Sequence, residues 1–146
     1  MPGIIVGIDG SDRSRHALEW AIDEAAVRHA PLTVLTVSEP LAGGNWGGPV
    51  CPPDLDRTKQ AQEAAQVETD KVLAKVGASG KPASVTVRAV TGIPAEELLR
   101  ASAGADMVVV GSRGAGGFKR LLLGSVSSHI AHHAHCPAVV IPTDNA

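Results

Sequence analysis

Apolar runs alternate along the chain with stretches in which apolar residues recur every three or four positions. Residues Gly3–Ile8 (GIIVGI) form a short apolar run that stops at Asp9-Gly10-Ser11. A run of that length, bounded by turn residues, predicts a buried strand followed by a turn. From Asp12 to His29, Ala17, Leu18, Ala21, Ile22 and Ala25 recur at helical spacing. This predicts a helix with one buried face. Ser11 or Asp12 is placed to cap it, because a short side-chain oxygen accepts one of the orphan N–H groups. Pro31 is the expected stop. Leu32–Val37 (LTVLTV) is apolar and β-branched, a second strand.

Asp54–Val76 predicts a long helix with Ala61, Ala65, Val72 and Val76 along one stripe. Ser84–Val90 alternates and predicts a third strand. Pro94 suits the first turn of a helix. Ala95–Ala103 continues that helix, and Glu96 and Glu97 favour its positive end. Met107–Val110 is a fourth strand, Ser125–Ala134 a last helix and Ala138–Ile141 a fifth strand. Between the second strand and second helix, Glu39–Pro53 holds four Gly and four Pro with Asn45 and Trp46, a long loop. Loops of that length usually carry function.

Strands separated by helices predict right-handed crossovers, hence an α/β fold: an open parallel sheet with helices on both faces. The near-continuous aliphatic strands agree with burial on both sides. Neither repeat nor second domain is evident, so residues 1–146 are expected to form one domain. Ligands of such sheets bind at the carboxyl ends of strands, where the strand order reverses. The loops after strands one, two and four are therefore the places to look.

Composition narrows the classes. Apolar residues make up 44% and charged residues 19%, which argues against disorder. Trp20, Trp46 and Phe118 are the whole aromatic content, so the core is aliphatic and no stacking platform for single strands exists. A net charge of −2 argues against a general polyanion binder, and no nucleic-acid partner is expected. Cys51 and Cys136 do not make a disulfide scaffold, which favours a reduced, cytoplasmic setting. The N-terminus has no basic n-region and Asp9 interrupts its apolar run, so no secretory signal is read there. Leu121–Thr143 carries no formal charge, yet holds four His, three Ser, Gly124 and Pro137. That content speaks against a membrane span.

The candidate chemistry lies after the fourth strand. The chain there reads Gly111-Ser112-Arg113-Gly114-Ala115-Gly116-Gly117-Phe118-Lys119-Arg120, then Leu121-Leu122-Leu123-Gly124-Ser125. Four glycines in seven residues carry an entropic cost that a plain connection does not need. Glycines let backbone N–H groups converge on an anion, and the following helix N-terminus favours phosphate. Ser125 and Ser127 add hydroxyls; Arg113, Lys119 and Arg120 add positive charge. No acidic residue stands between Asp106 and Asp144. A flexible connection with solvated charges is the plainer alternative. A P-loop does not fit, since Gly117-Phe118 stands where Lys-Ser/Thr is needed. No dinucleotide fingerprint follows the first strand.

The spacing Gly111-x2-Gly114-x9-Gly124-Ser125 resembles the G-2x-G-9x-G-(S/T) motif of ATP-binding universal stress proteins. The opening IIVGIDGSDRSRHALEWA and the close VSSHIAHHAHCPAVVIP are similar to that family's first strand and helix and its last helix and strand. The likeness spans essentially the whole chain. It implies a Rossmann-like five-stranded parallel sheet in the order 3-2-1-4-5, a homodimer and bound ATP. In nucleotide-bound members the Asp after strand one lies near ribose and phosphates, here Asp9. The end of strand two supplies backbone contacts to adenine, here about Val37. Gly111, Gly114, Gly124 and Ser125 carry the motif. Val126 and Ser127 are implied to meet phosphates through backbone N–H or hydroxyl groups. Arg113 and Gly116 occupy positions that vary in the family.

Asp9 at a strand's carboxyl end can accept from ribose hydroxyls or hold Mg²⁺ through water. It can equally serve as a turn or cap residue, and Ser125 as a plain N-cap. In the implied order Ala138–Ile141 is an edge strand. Pairing with a second copy would cover it symmetrically, and Pro137, Pro142 and the tail would blunt it otherwise.

Other constellations are weaker. His129, His132, His133, His135 and Cys136 include zinc or nickel spacing on a helix. No second ligand group stands out, and histidines also suit a helix C-terminus, so no residue is assigned to a metal. The G-x-S-x-G elbow of hydrolases is absent, and no general base stands by the glycine loop. The expectation is a cytoplasmic ATP-binding universal stress protein acting as a nucleotide-dependent regulatory module. A slow ATP-hydrolysing or phosphotransfer enzyme, and a dimeric interaction module without nucleotide, are the alternatives.

Overall fold

The computed structural model describes residues 3–38, 55–76, 80–112 and 125–142, the side chains of 55 and 56 excepted. In chain order the elements are β1 (Ile4–Ile8), α1 (Asp12–Arg28), β2 (Pro31–Ser38), α2 (Leu55–Lys75) and β3 (Ser84–Thr91). Then come α3 (Pro94–Ser102), β4 (Met107–Gly111), α4 (Ser125–His133) and β5 (Ala138–Ile141). All ladders are parallel, and the sheet order is β3-β2-β1-β4-β5.

Side chains of a strand alternate between faces, and here each face has its own core. Ile4, Val6 and Ile8 of β1, with Met107 and Val109 of β4, pack under Ala17, Leu18, Ala21, Ile22 and Ala25 of α1 and Ala65 and Val72 of α2. Val108 and Val110 of β4 and Leu35 of β2 face the other way, against Leu98 of α3 and Ile130 of α4. The five α1 residues predicted as a stripe are all fully buried. Trp20 packs against the first core, partly buried.

Ser11 is the N-cap of α1, its hydroxyl accepting from the Ser14 N–H at 3.2 Å. The expected stop at Pro31 is corrected. The helix ends at Arg28 because His29 turns left-handed (φ 54°) and returns its N–H to the carbonyls of Ala25 and Ala26. Pro31 instead opens β2, where a strand tolerates the missing donor.

The two sheet edges differ. At β3, the Gln62 amide of α2 donates to the Val87 carbonyl and accepts from the Ala89 N–H, standing in for a missing strand. At β5, no side chain among the described residues plays that part, and Ala138–Ile141 are all half-buried. No helix among the described residues is long and apolar enough to cross a membrane.

Candidate functional site

The strand order reverses between β1 and β4: the chain leaves β1 towards β2 and later returns to β4 on the other side. Connections therefore diverge above these two strands and leave a crevice at their carboxyl ends. A cavity of about 300 Å³ opens there, at the small end of ligand clefts.

Six of the residues named from sequence line it: Asp9, Val37, Gly111, Ser125, Val126 and Ser127. Arg113, Gly114, Gly116 and Gly124 lie outside the described residues, as do Trp46, Cys51, Phe118, Lys119 and Arg120.

Asp9 follows β1 and is exposed. Its Oδ1 accepts from the Ser11 N–H at 2.9 Å and from the Ser11 hydroxyl at 2.6 Å. The next residue, Gly10, takes a φ of 85° that lets the turn close. Ser14, buried against the turn, accepts from the Asp9 N–H at 3.2 Å and donates to the Ser11 carbonyl at 3.1 Å. The turn role thus occupies one carboxylate oxygen. Oδ2 has no hydrogen-bond partner among the described residues.

Val37 presents its backbone. The Ser38 carbonyl accepts from the Gly92 N–H at 2.9 Å, on the β3 side. Backbone groups alternate sides along a strand, so the Val37 carbonyl faces β1. The last residues paired between those strands are Ile8 and Thr36. That carbonyl therefore stands past the end of the ladder, over the crevice.

On the far side, Ser125 is the first residue of α4 and exposed, whereas Ser127 is buried. The Ser127 hydroxyl donates to the Ser112 carbonyl at 2.7 Å. Ser112 in turn donates its N–H to Ile141 at 2.8 Å. The hydroxyl counted as a phosphate donor thus joins α4 to the end of β4.

Seven further lining residues were not read as site residues: Gly7, Ile8, Ser14, Leu35, Pro94, Leu98 and Val110. Leu35, Leu98 and Val110 belong to the second core, and the same apolar surface floors the cavity. Gly7 makes that floor possible. A Cβ there would come within 2.9 Å of Leu98 Cδ1. An isolated glycine inside a strand pattern was the available signal for such a close approach.

Among the described residues, two groups are shifted from their ordinary ranges. Burial pushes the Glu68 carboxyl of α2 up, Arg15 opposes, and Asp9 and Asp12 reinforce. Glu68 Oε1 is buried with no hydrogen-bond partner among the described residues. Burial also pushes the Cys136 thiol up, with Asp106 reinforcing, which disfavours its thiolate.

Comparison with known proteins bears on the same region. The family model described as the universal stress protein family matches residues 2–142. A universal stress protein of Mycobacterium tuberculosis is 40% identical over 147 residues, covering 99% of this chain and 49% of its own. The chain spans about half the length of the curated relatives it matches. Among solved structures, the universal stress protein UspA from Lactobacillus plantarum superposes with a TM-score of 0.73 at 24% identity, covering 96% of this chain and 97% of its own. A universal stress protein in complex with cAMP superposes with a TM-score of 0.68 at 25% identity, covering 96% and 95%.

Proposed function

The chain belongs to the universal stress protein family, and on that premise we propose that it binds ATP between β1 and β4 and acts as a nucleotide-dependent regulatory module. The observation that carries the reading is the order of polar groups around the cavity. The Val37 carbonyl stands at one end, Asp9 Oδ2 in the middle, and the N-terminus of α4 at the other.

An adenine amino group donates to a carbonyl in the first position, while a guanine carbonyl there is repelled. Ribose hydroxyls donate to the carboxylate. Phosphates accept from the orphan N–H groups of Ser125, Val126 and Ser127, aided by the helix dipole. The motif glycines Gly111, Gly114 and Gly124, with Arg113 and Gly116 between them, would close the phosphate end. The apolar floor of Leu35, Leu98 and Val110 suits the flat face of a base.

Mg²⁺ fits this arrangement as a companion of the phosphates. It binds through one or two carboxylates and keeps several waters, and Asp9 Oδ2 is the carboxylate oxygen available. Asp9 would hold it through water.

The β5 edge, unclamped among the described residues, supports a homodimer through Ala138–Ile141. The unpaired Cys136 thiol supports a cytoplasmic setting. The regulatory unit is one domain over residues 1–146.

Isothermal titration with ATP, AMP, GTP and cAMP, beside a phosphate-release assay, tests the reading. ATP should bind one per chain, ahead of GTP, with phosphate release at trace rates. Absence of saturable binding for any of the four overturns the site and leaves the nucleotide-free module. Rapid release abolished by Asp9→Ala would make the protein an enzyme. Sedimentation should return twice the chain mass, and a 14.9 kDa species throughout would overturn the dimer.

A further inference from the structure

The far end of α4 carries a cluster that the nucleotide reading does not use. His129 and His133 are one helical turn apart at i and i+4, on the same face. Their ring centroids lie 4.7 Å apart and the planes are tilted by 51°. Both residues are exposed. His132 is engaged elsewhere: its Nδ1 lies 2.7 Å from the Ser128 carbonyl, and its ring stands 6.2 Å from that of His133.

A favourable helix dipole explains why histidines collect at this end. The dipole does not set the distance between two particular rings; a shared ion accounts for that distance. Two imidazoles on one metal at about 2.0–2.1 Å, spread by about a right angle, hold their centroids roughly 4.5–5 Å apart. The rings already stand at that separation.

We propose that His129 and His133 form a two-imidazole chelate for a late first-row divalent cation, Cu²⁺ ahead of Ni²⁺ and Zn²⁺. Imidazole suits these ions and the order of affinity peaks at Cu²⁺, whereas Mg²⁺ and Ca²⁺ take oxygen ligands. Among the described residues no group of three His, Cys, Asp or Glu converges. Water therefore fills the remaining positions, which makes the site an exchangeable surface chelate rather than a closed structural one. A chelate across i and i+4 also clamps the last turn of α4. The pair occupies the second half of α4, beyond Ser125–Ser127, and its argument does not use the nucleotide reading.

The test uses the full chain without an affinity tag, stripped with chelator and titrated calorimetrically with CuCl₂, NiCl₂, ZnCl₂ and MgCl₂. One Cu²⁺ should bind per chain, with Ni²⁺ and Zn²⁺ weaker and Mg²⁺ silent. Loss of either ring turns a bidentate site into a monodentate one, so His129→Ala and His133→Ala should each weaken Cu²⁺ by about tenfold or more. His135→Ala should leave it unchanged. Cu²⁺ should raise the melting temperature of the parent and not of the His129→Ala/His133→Ala protein. All of these side chains are exposed, and circular dichroism confirms the fold of each variant. No saturable Cu²⁺ binding overturns the proposal. So does affinity retained in the double variant, or lost in His132→Ala or His135→Ala while His129→Ala keeps it.

Discussion

Between Asp9 and Ser14 the β1–α1 arm of the cleft hydrogen-bonds within itself, Asp9 Oδ2 excepted. Asp9 Oδ1 is held by Ser11, the Ser11 hydroxyl caps α1, and Ser14 closes back on the Asp9 N–H. Of the β4–α4 arm, the described residues are its two feet. The Ser112 N–H reaches Ile141, and the Ser127 hydroxyl reaches the Ser112 carbonyl. Between those feet stand Gly114, Gly116, Gly117 and Gly124. One arm presents a carboxylate whose position is set before a ligand arrives. The other fixes where the chain leaves the sheet and where the helix begins. Substitutions between the feet should therefore act on the ligand, and substitutions at the feet on the fold.

The glycines give the largest expected effect. Gly114→Ala and Gly124→Ala should each weaken ATP by about 100-fold, or about 2.7 kcal/mol, because a side chain obstructs the approach of backbone to phosphate. The melting temperature should move by no more than about 2 °C, a fraction of a kcal/mol for a domain of this size. Calorimetric titration and thermal melts read both. A melting temperature that falls with the affinity would erase the distinction between feet and loop.

Ser127 tests a foot. Ser127→Ala removes a buried donor from the Ser112 carbonyl and should cost about 1–2 kcal/mol in urea unfolding. ATP affinity of the folded variant should stay within about threefold, less than 0.7 kcal/mol. Unchanged stability with a large loss of affinity would return the hydroxyl to the phosphate.

These contrasts show what the sequence could and could not convey. The α1 stripe was legible because five apolar residues at helical spacing answer to one physical cause, burial of one face. The strands were legible for the same reason. The order 3-2-1-4-5 was not a matter of periodicity; it came with the resemblance and is the order the sheet adopts. The place of Asp9 at the carboxyl end of β1 was legible, but not the division of its two oxygens, which depends on where Ser11 folds back. Leu98 was not named as lining the cleft, because apolar spacing does not say which side of a side chain is covered. The Gln62 clamp on β3 was illegible, since its partners Val87 and Ala89 are backbone groups brought together by the crossover.

Asp9 and Ser11 separate ligand from turn within the β1–α1 arm. Asp9→Asn keeps an oxygen for Ser11 but loses the charge offered to Mg²⁺ and ribose. It should weaken ATP·Mg²⁺ by about tenfold, near 1.4 kcal/mol, with little change in unfolding. Ser11→Ala should do the reverse, costing about 1 kcal/mol of stability through the lost cap and leaving affinity nearly unchanged. If both variants lose affinity equally, the carboxylate works by shaping the turn.

Glu68 gives the smallest effect and probes the same arm from α2. Its carboxyl is pushed up chiefly by burial, with Asp9 and Asp12 adding to the effect and Arg15 and Lys71 opposing it. The folded chain therefore holds this proton more tightly than the unfolded chain. Between the ordinary carboxylate range and the raised value, the folded state carries the extra proton, so stability falls as pH rises through that window. Below it both states are protonated and nothing is lost; above it the loss is complete. Glu68→Gln should remove the loss, so the variant should exceed the parent near neutral pH and match its pH trend at the acid end. Much of the side chain is open to screening solvent, which holds the gain under about 1 kcal/mol. Asp9→Asn takes away one of the charges that raise Glu68. In the double variant the gain from Glu68→Gln should therefore shrink, as read by urea unfolding. A gain that is the same with Asp9 or Asn at that position would mean burial alone sets Glu68, and that the β1–α1 arm ends, electrostatically, at its own turn.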